Sequence, residues 1–137
     1  HELANRQTPR ALSGDLMSQA VALLRQWVTR HRETSLNIVL VGVGEPSVDH
    51  VAAVVSQLLR QAAVPIGSTR TIGVASGLPR GAIILASRDR HAEAAELAAA
   101  LQPVIANIEA RVQDGAHLTL HLNGRPSFRS TGAFVVE

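Results

Sequence analysis

Leu36-Asn37-Ile38-Val39-Leu40-Val41-Gly42-Val43-Gly44-Glu45-Pro46 is the stretch on which the reading of this chain turns. Its first six residues are nearly all apolar and rich in β-branched side chains. Such a run is typical of a strand covered on both faces, or packed tightly under helices. The Gly-rich turn ends it, and Ser47 or Asp49 can cap a following helix. In that helix Val48, Val51, Ala52, Val55, Leu58, Leu59 and Ala62 form a broad apolar face, and Val64-Pro65-Ile66-Gly67 stops it.

Upstream, residues 1–12 are polar and read as an arm or linker. Residues 13–137 read as a single α/β domain. Ser13 is a candidate N-cap, and Met17, Val21, Leu24, Trp27 and Val28 follow at helical spacing. Downstream, residues 69–75 predict a second strand and residues 82–86 a third, short and apolar. A helical stripe then runs through Ala94, Leu97, Leu101, Ile105, Ile108 and Val112, with Pro103 either kinking one helix or opening another. In the last segment Leu118, Leu120 and Leu122 alternate with His117, Thr119 and His121, placing leucines on one face and histidines on the other. Asn123-Gly124 predicts a type I′ turn, with a return strand over 125–129 held at an edge by Pro126. Residues 133–136 make a last strand. The order α-β-α-β-β-α-β-β-β, with its C-terminal hairpin, predicts a layered α/β sandwich of two or three layers, helices packed on a mixed sheet.

The chain has 137 residues, of which 46% are hydrophobic and 18% charged, enough to bury a core and too apolar for disorder. Aromatic residues make up only 2%, so the core must be built from Val, Leu, Ile and Ala. All 13 basic side chains are Arg, yet the net charge is only +2, which does not point to nucleic acid. Without Tyr, and with two Phe, there is no base-stacking platform. Lacking Cys, the chain has no disulfide, thiolate metal site or cysteine nucleophile. No apolar run reaches the length of a transmembrane helix. Beginning at His1, the chain reads as a processed protein or a fragment of one.

Glycines beside a helix N-terminus can offer free N–H groups to an anion. Gly42 and Gly44 satisfy part of a dinucleotide fingerprint, but Ser47 stands where its third glycine belongs, and no Lys exists for a phosphate-binding loop. Glu45 would repel an anion there. Asp49-His50 and Asp89-Arg90-His91 each set a carboxylate near an imidazole, without a third group at metal-ligand spacing; helix caps explain both. His117 and His121 are about 13 Å apart by strand rise and cannot chelate one ion. With Arg125 and Arg129 on the expected return strand they define a basic outer surface. Ser76 and Ser87 follow strands, but no G-x-S-x-G elbow accompanies them. Neither a catalytic constellation, a metal site nor a cofactor motif emerges.

Residues 12–86 resemble, in their α-β-α-β course, envelope domains related to the outer-membrane-protein-A-like peptidoglycan-binding family, and Tad-type pilus-assembly lipoproteins in outline. The resemblance is carried by Leu23-Leu24-Arg25-Gln26-Trp27 closing the first helix, the strand from Asn37 to Gly42, Leu58-Leu59-Arg60-Gln61-Ala62-Ala63-Val64 closing the second helix, and the Gly-containing strand after Thr69. Gly42-Val43-Gly44-Glu45 stands where that family carries Gly-His-Thr-Asp, and Val51-Ala52-Ala53-Val54-Val55-Ser56 replaces its Leu-Ser-x-x-Arg-Ala. The resemblance therefore implies the course of the family without its peptidoglycan grip.

Two functions follow as expectations. The first is a non-catalytic binding or assembly module of a bacterial cell-envelope machine, a secretion or pilus system, contacting protein subunits (another copy of itself among them) through His117, His121, Arg125 and Arg129. It would sit in the periplasm or envelope, with the cytoplasm as the alternative. The second is a small-molecule or nucleotide-binding α/β domain whose ligand is held by Gly42, Gly44, Ser47, Ser76 and Ser87, with Arg80 or Arg88 supplying positive charge.

Overall fold

The computed structural model describes residues 14–41, 46–73, 80–124, 126–128 and 133–136. Their elements are α1 Gly14–Arg30, β1 Leu36–Val41, α2 Pro46–Gln61, β2 Ile66–Ile72, β3 Gly81–Ala86, a single 3-10 turn Arg88–Arg90, α3 His91–Leu101, β4 Glu109–Val112, β5 Thr119–Asn123, β6 Pro126–Phe128 and β7 Phe134–Val136. The fold is the expected α/β class, with the elements in the expected order and β4 as an additional strand. Five strands form a mixed sheet in the order β2-β1-β5-β3-β4. β1 runs parallel to both β2 and β5; β3 is antiparallel to β5 and parallel to β4.

One core joins the three helices to one face of this sheet. Leu36 and Ile38 of β1, Leu120 and Leu122 of β5, and Ala82, Ile84 and Ala86 of β3 alternate onto that face. Above them lie Leu24 and Trp27 of α1, Val55, Leu58 and Leu59 of α2, and Leu97 and Leu101 of α3, all at the helical spacing read from the sequence. α1 is fastened to the start of α3. The Trp27 indole Nε1–H donates to the Glu93 carbonyl oxygen at 2.9 Å, and the buried Thr34 hydroxyl donates to Glu93 Oε2 at 3.0 Å. A polar group buried this way keeps its partner and so avoids a desolvation cost.

α2 begins at Pro46, whose fixed φ suits the first helical position, so Ser47 and Asp49 lie inside its first turn and not before it. Its other end is closed by two reversed bonds: Val64 N–H to the Leu59 carbonyl at 2.9 Å and Ala63 N–H to the Arg60 carbonyl at 3.1 Å. That pattern puts the intervening residue in the left-handed region, and Ala63 is there at φ 58°. The usual occupant is glycine.

Three segments differ from the sequence expectation. The helix expected to extend to Val112 ends at Leu101, and residues 109–112 form an edge strand beside β3. Residues 118–122 do not open a hairpin. β5 is inserted between β1 and β3, and Asn123 does not adopt the positive φ that a type I′ turn requires at both central positions. The C-terminal hairpin is instead β6 with β7, Pro126 facing Val136. It is tied to the loop after α3 by Phe134 N–H to the Val104 carbonyl at 2.7 Å. The Asn107 side chain adds to this, donating to the Val136 carbonyl and accepting from its N–H.

Candidate functional site

The strands of the main sheet contrast sharply in exposure. All six residues of β3 are buried, and four of the six in β1. β2, Ile66-Gly67-Ser68-Thr69-Arg70-Thr71-Ile72, has six exposed residues and one half-buried. It is hydrogen-bonded to β1 on one side and is the end strand of the sheet on the other. A parallel strand pair uses only part of each strand's backbone groups, so among the described residues the outer row of β2 carries N–H and C=O groups without a ladder. Register with β1 slips between Leu36 and Asn37, leaving Gly67 as the extra residue. A Cβ at Gly67 would lie 2.6 Å from Asn37 Oδ1, which accepts a hydrogen bond from the Ser68 hydroxyl at 3.2 Å. Beyond this bulge, Thr69 and Thr71 stand beside Ile38 and Leu40 on the helical side. Ser68, Arg70 and Ile72 stand on the opposite face. Among the described residues no carboxylate pairs with Arg70.

Across that opposite face one row reads Arg70, Val39, His121, Ile83, Glu109. Val39, Ile83 and Leu85 are buried here, and so is His121, at 7% exposure. The histidine therefore belongs to no solvent-facing surface, contrary to the expectation from alternation. Insertion of β5 in mid-sheet put it among apolar neighbours. Burial holds its pKa below the ordinary imidazole value, and its Nδ1 has no hydrogen-bond partner. His117, just before β5, is exposed. Arg125 and Arg129 lie outside the described residues, so of the four residues expected to form a basic surface the structure describes two, His121 buried and His117 exposed.

The expected ligand site is described only in part. Gly42, Gly44 and Ser76 lie outside the described residues, and Ser47 is described only as part of the α2 backbone. Ser87 lies at the end of the sheet opposite to Val41. Leu85 is level with Thr119, and Thr119 with Asn37, so Ser87 sits near the start of β1. Val41, at the far end of β1, is about 20 Å away by strand rise. Arg88 follows Ser87 at its end, whereas Arg80 precedes β3 at the Val41 end. Ser87 donates its hydroxyl to Asp89 Oδ1 at 2.6 Å, and this bond, ahead of the nearby Arg90 charge, holds the Asp89 carboxyl below its ordinary value.

Around Ser87 lies a polar cleft of about 420 Å3, lined by Glu33, Ser35, Asn37, Arg90 and His117 among others. Its size falls within the usual range for small-ligand sites. Sequence reasoning did not find it, because its walls come from three segments that only the sheet topology brings together. Among the described residues, no group of three His, Asp or Glu is placed to hold a metal ion, and no helix is long and apolar enough to cross a membrane.

No protein-family model matches the chain, and no curated protein or solved structure matches it significantly.

Proposed function

We propose that this chain is a non-catalytic binding and assembly module that acts through protein–protein contacts, with the outer edge of β2 as its docking surface. The observation carrying this reading is β2 itself: a seven-residue terminal strand of the sheet with its side chains in solvent. Open edges of this kind accept a strand from another chain, backbone bonds giving affinity and alternate side chains giving selectivity. Placement in a bacterial cell-envelope machine, such as a secretion or pilus system, rests on the resemblance of course over residues 12–86. Size-exclusion chromatography with light scattering, run beside a screen of extended peptides, tests the reading. The proteins compared are wild type, Thr71→Pro and Arg125→Glu/Arg129→Glu. Association lost in Thr71→Pro and kept in the double variant supports β2. The reverse pattern moves the surface to the C-terminal hairpin. A monomer that binds no extended peptide defeats the proposal.

A second reading, a small-molecule-binding domain, is favoured by the polar cleft at Ser87 and moves its site there from the Gly42–Ser47 turn. Its test is a thermal-shift screen of small anions and zwitterions against wild type and Arg90→Ala. Stabilisation of wild type that Arg90→Ala loses supports it; no shift by any compound counts against it.

A further inference from the structure

We propose that the strand received by β2 comes from a partner protein and carries a carboxylate opposite Arg70, with small or β-branched residues on either side of that acid. The inference rests on the reading of β2 as the docking edge and specifies what that edge selects.

The argument starts from the alternation of β2. In an added strand, the residue directly across from Arg70 projects to the same face, about 5 Å away at Cβ, and interacts with it. Arg70 is the one charge on β2 and is exposed, with no carboxylate paired to it among the described residues. A facing Asp or Glu would meet a guanidinium able to bond both of its oxygens. A facing Lys or Arg would be repelled, and a facing apolar residue would leave the guanidinium with water alone.

The neighbours of the acid in the added strand would turn to the helical side, across from Thr69 and Thr71. Opposed Thr and Val pairs are favourable cross-strand partners, and their short branched side chains suit the pleat. The Gly67 bulge breaks the regular pleat at the β2 N-terminal end, so the recognised register spans residues 68–72.

A second copy of β2 does not supply the acid. β2 contains none, and pairing it antiparallel with itself either sets Arg70 against Arg70 or leaves Arg70 facing Ser68 or Ile72. Like charges directly opposite are destabilising. The other end strand, β4, carries Glu109 on the same face, but that carboxylate is already held by Arg111 of its own strand, so the occupant that answers both the edge and its charge is an extended acidic segment of another protein.

The test uses fluorescein-labelled peptides of about seven residues, an ordinary strand length, made of alternating Thr and Val. The central residue is Glu, Gln or Lys. Fluorescence anisotropy is measured at low salt with wild type, Arg70→Gln and Arg70→Glu. The Glu peptide is expected to bind wild type about two- to five-fold more tightly than the Gln peptide, the range of one cross-strand ion pair. The Lys peptide should be weakest. Arg70→Gln should abolish the preference, Arg70→Glu should invert it in favour of Lys, and added salt should shrink both preferences. Equal binding of all three peptides, indifferent to Arg70, overturns the acidic-partner proposal and leaves the edge reading intact. Binding of none overturns the edge reading and this one with it. A wild-type dimer that Thr71→Pro dissolves, with no peptide preference, assigns the edge to a second copy and overturns the proposal.

Discussion

β3, with β5 on one side and β4 on the other, buries all six of its residues; β2, bonded among the described strands to β1 alone, leaves six of seven in solvent. Gly-Ala-Ile-Ile-Leu-Ala and Ile-Gly-Ser-Thr-Arg-Thr-Ile are the chemical consequences of those two positions. In a strand enclosed on both faces a polar group without a partner is costly, whereas an edge strand is kept from indiscriminate pairing by a charge and a bulge, and β2 has both. The comparison teaches that enclosure and exposure are separated laterally: β3 is enclosed toward one side of the sheet, and the exposed strand β2 ends the other.

Substitutions can break that division. Ile84, fully buried in β3, should cost about 2–5 kcal/mol on replacement by Ala, measured by urea denaturation. A cost below about 1 kcal/mol would mean that β3 is not the packed side. His121 probes the strand between the two regions. Its folded-state pKa is depressed, so the unfolded chain takes up a proton first as pH falls below about 6.5. Stability should therefore be highest above that pH and fall toward the lower folded value, by at most about 1.4 kcal/mol per pH unit from this one group. His121→Leu should flatten that part of the profile, and an unchanged slope would remove His121 from the account.

Smaller effects sharpen the picture of β2. Ala63 holds a left-handed backbone at the close of α2, so Ala63→Gly should stabilise the protein by about 1 kcal/mol. Gly67→Ala drives a Cβ onto Asn37 Oδ1 and displaces the bond from Ser68, at a cost of about 0.5–1 kcal/mol. Thr69→Ala, on the exposed strand, should stay within about 0.5 kcal/mol. A large loss at Thr69 would show that β2 contributes to the fold as β3 does.

Local pattern carried much of this fold. Leu36–Val41 reads as a strand from its nearly unbroken apolar run, and Val21, Leu24 and Trp27 of α1 and Val51, Val55, Leu58 and Leu59 of α2 are buried where spacing put them. What local pattern could not carry is partnership across long separations. Glu109–Val112 reads as helix because Ile105, Ile108 and Val112 continue a stripe of threes and fours; pairing with β3 overrides it, and Val112 ends 43% exposed. The alternation of residues 117–122 is that of a half-exposed hairpin, yet β5 pairs with β1, some eighty positions earlier, so His121 is buried while His117 stays out. Ser87 was grouped with the Gly42–Ser47 turn because both follow strands. The antiparallel course of β3 sends it to the other end. The β2 edge had a faint sequence signal, Thr-rich and singly charged between Gly67 and Gly73, but its exposure depends on sheet order.

The most direct test of the docking edge is an NMR titration of the isotope-labelled chain with the Glu-centred peptide. The account predicts that the largest amide shift changes fall within residues 66–72 and their β1 neighbours, with Ser87, Arg90 and His117 unmoved. Changes centred on the cleft at Ser87, with β2 silent, would contradict it.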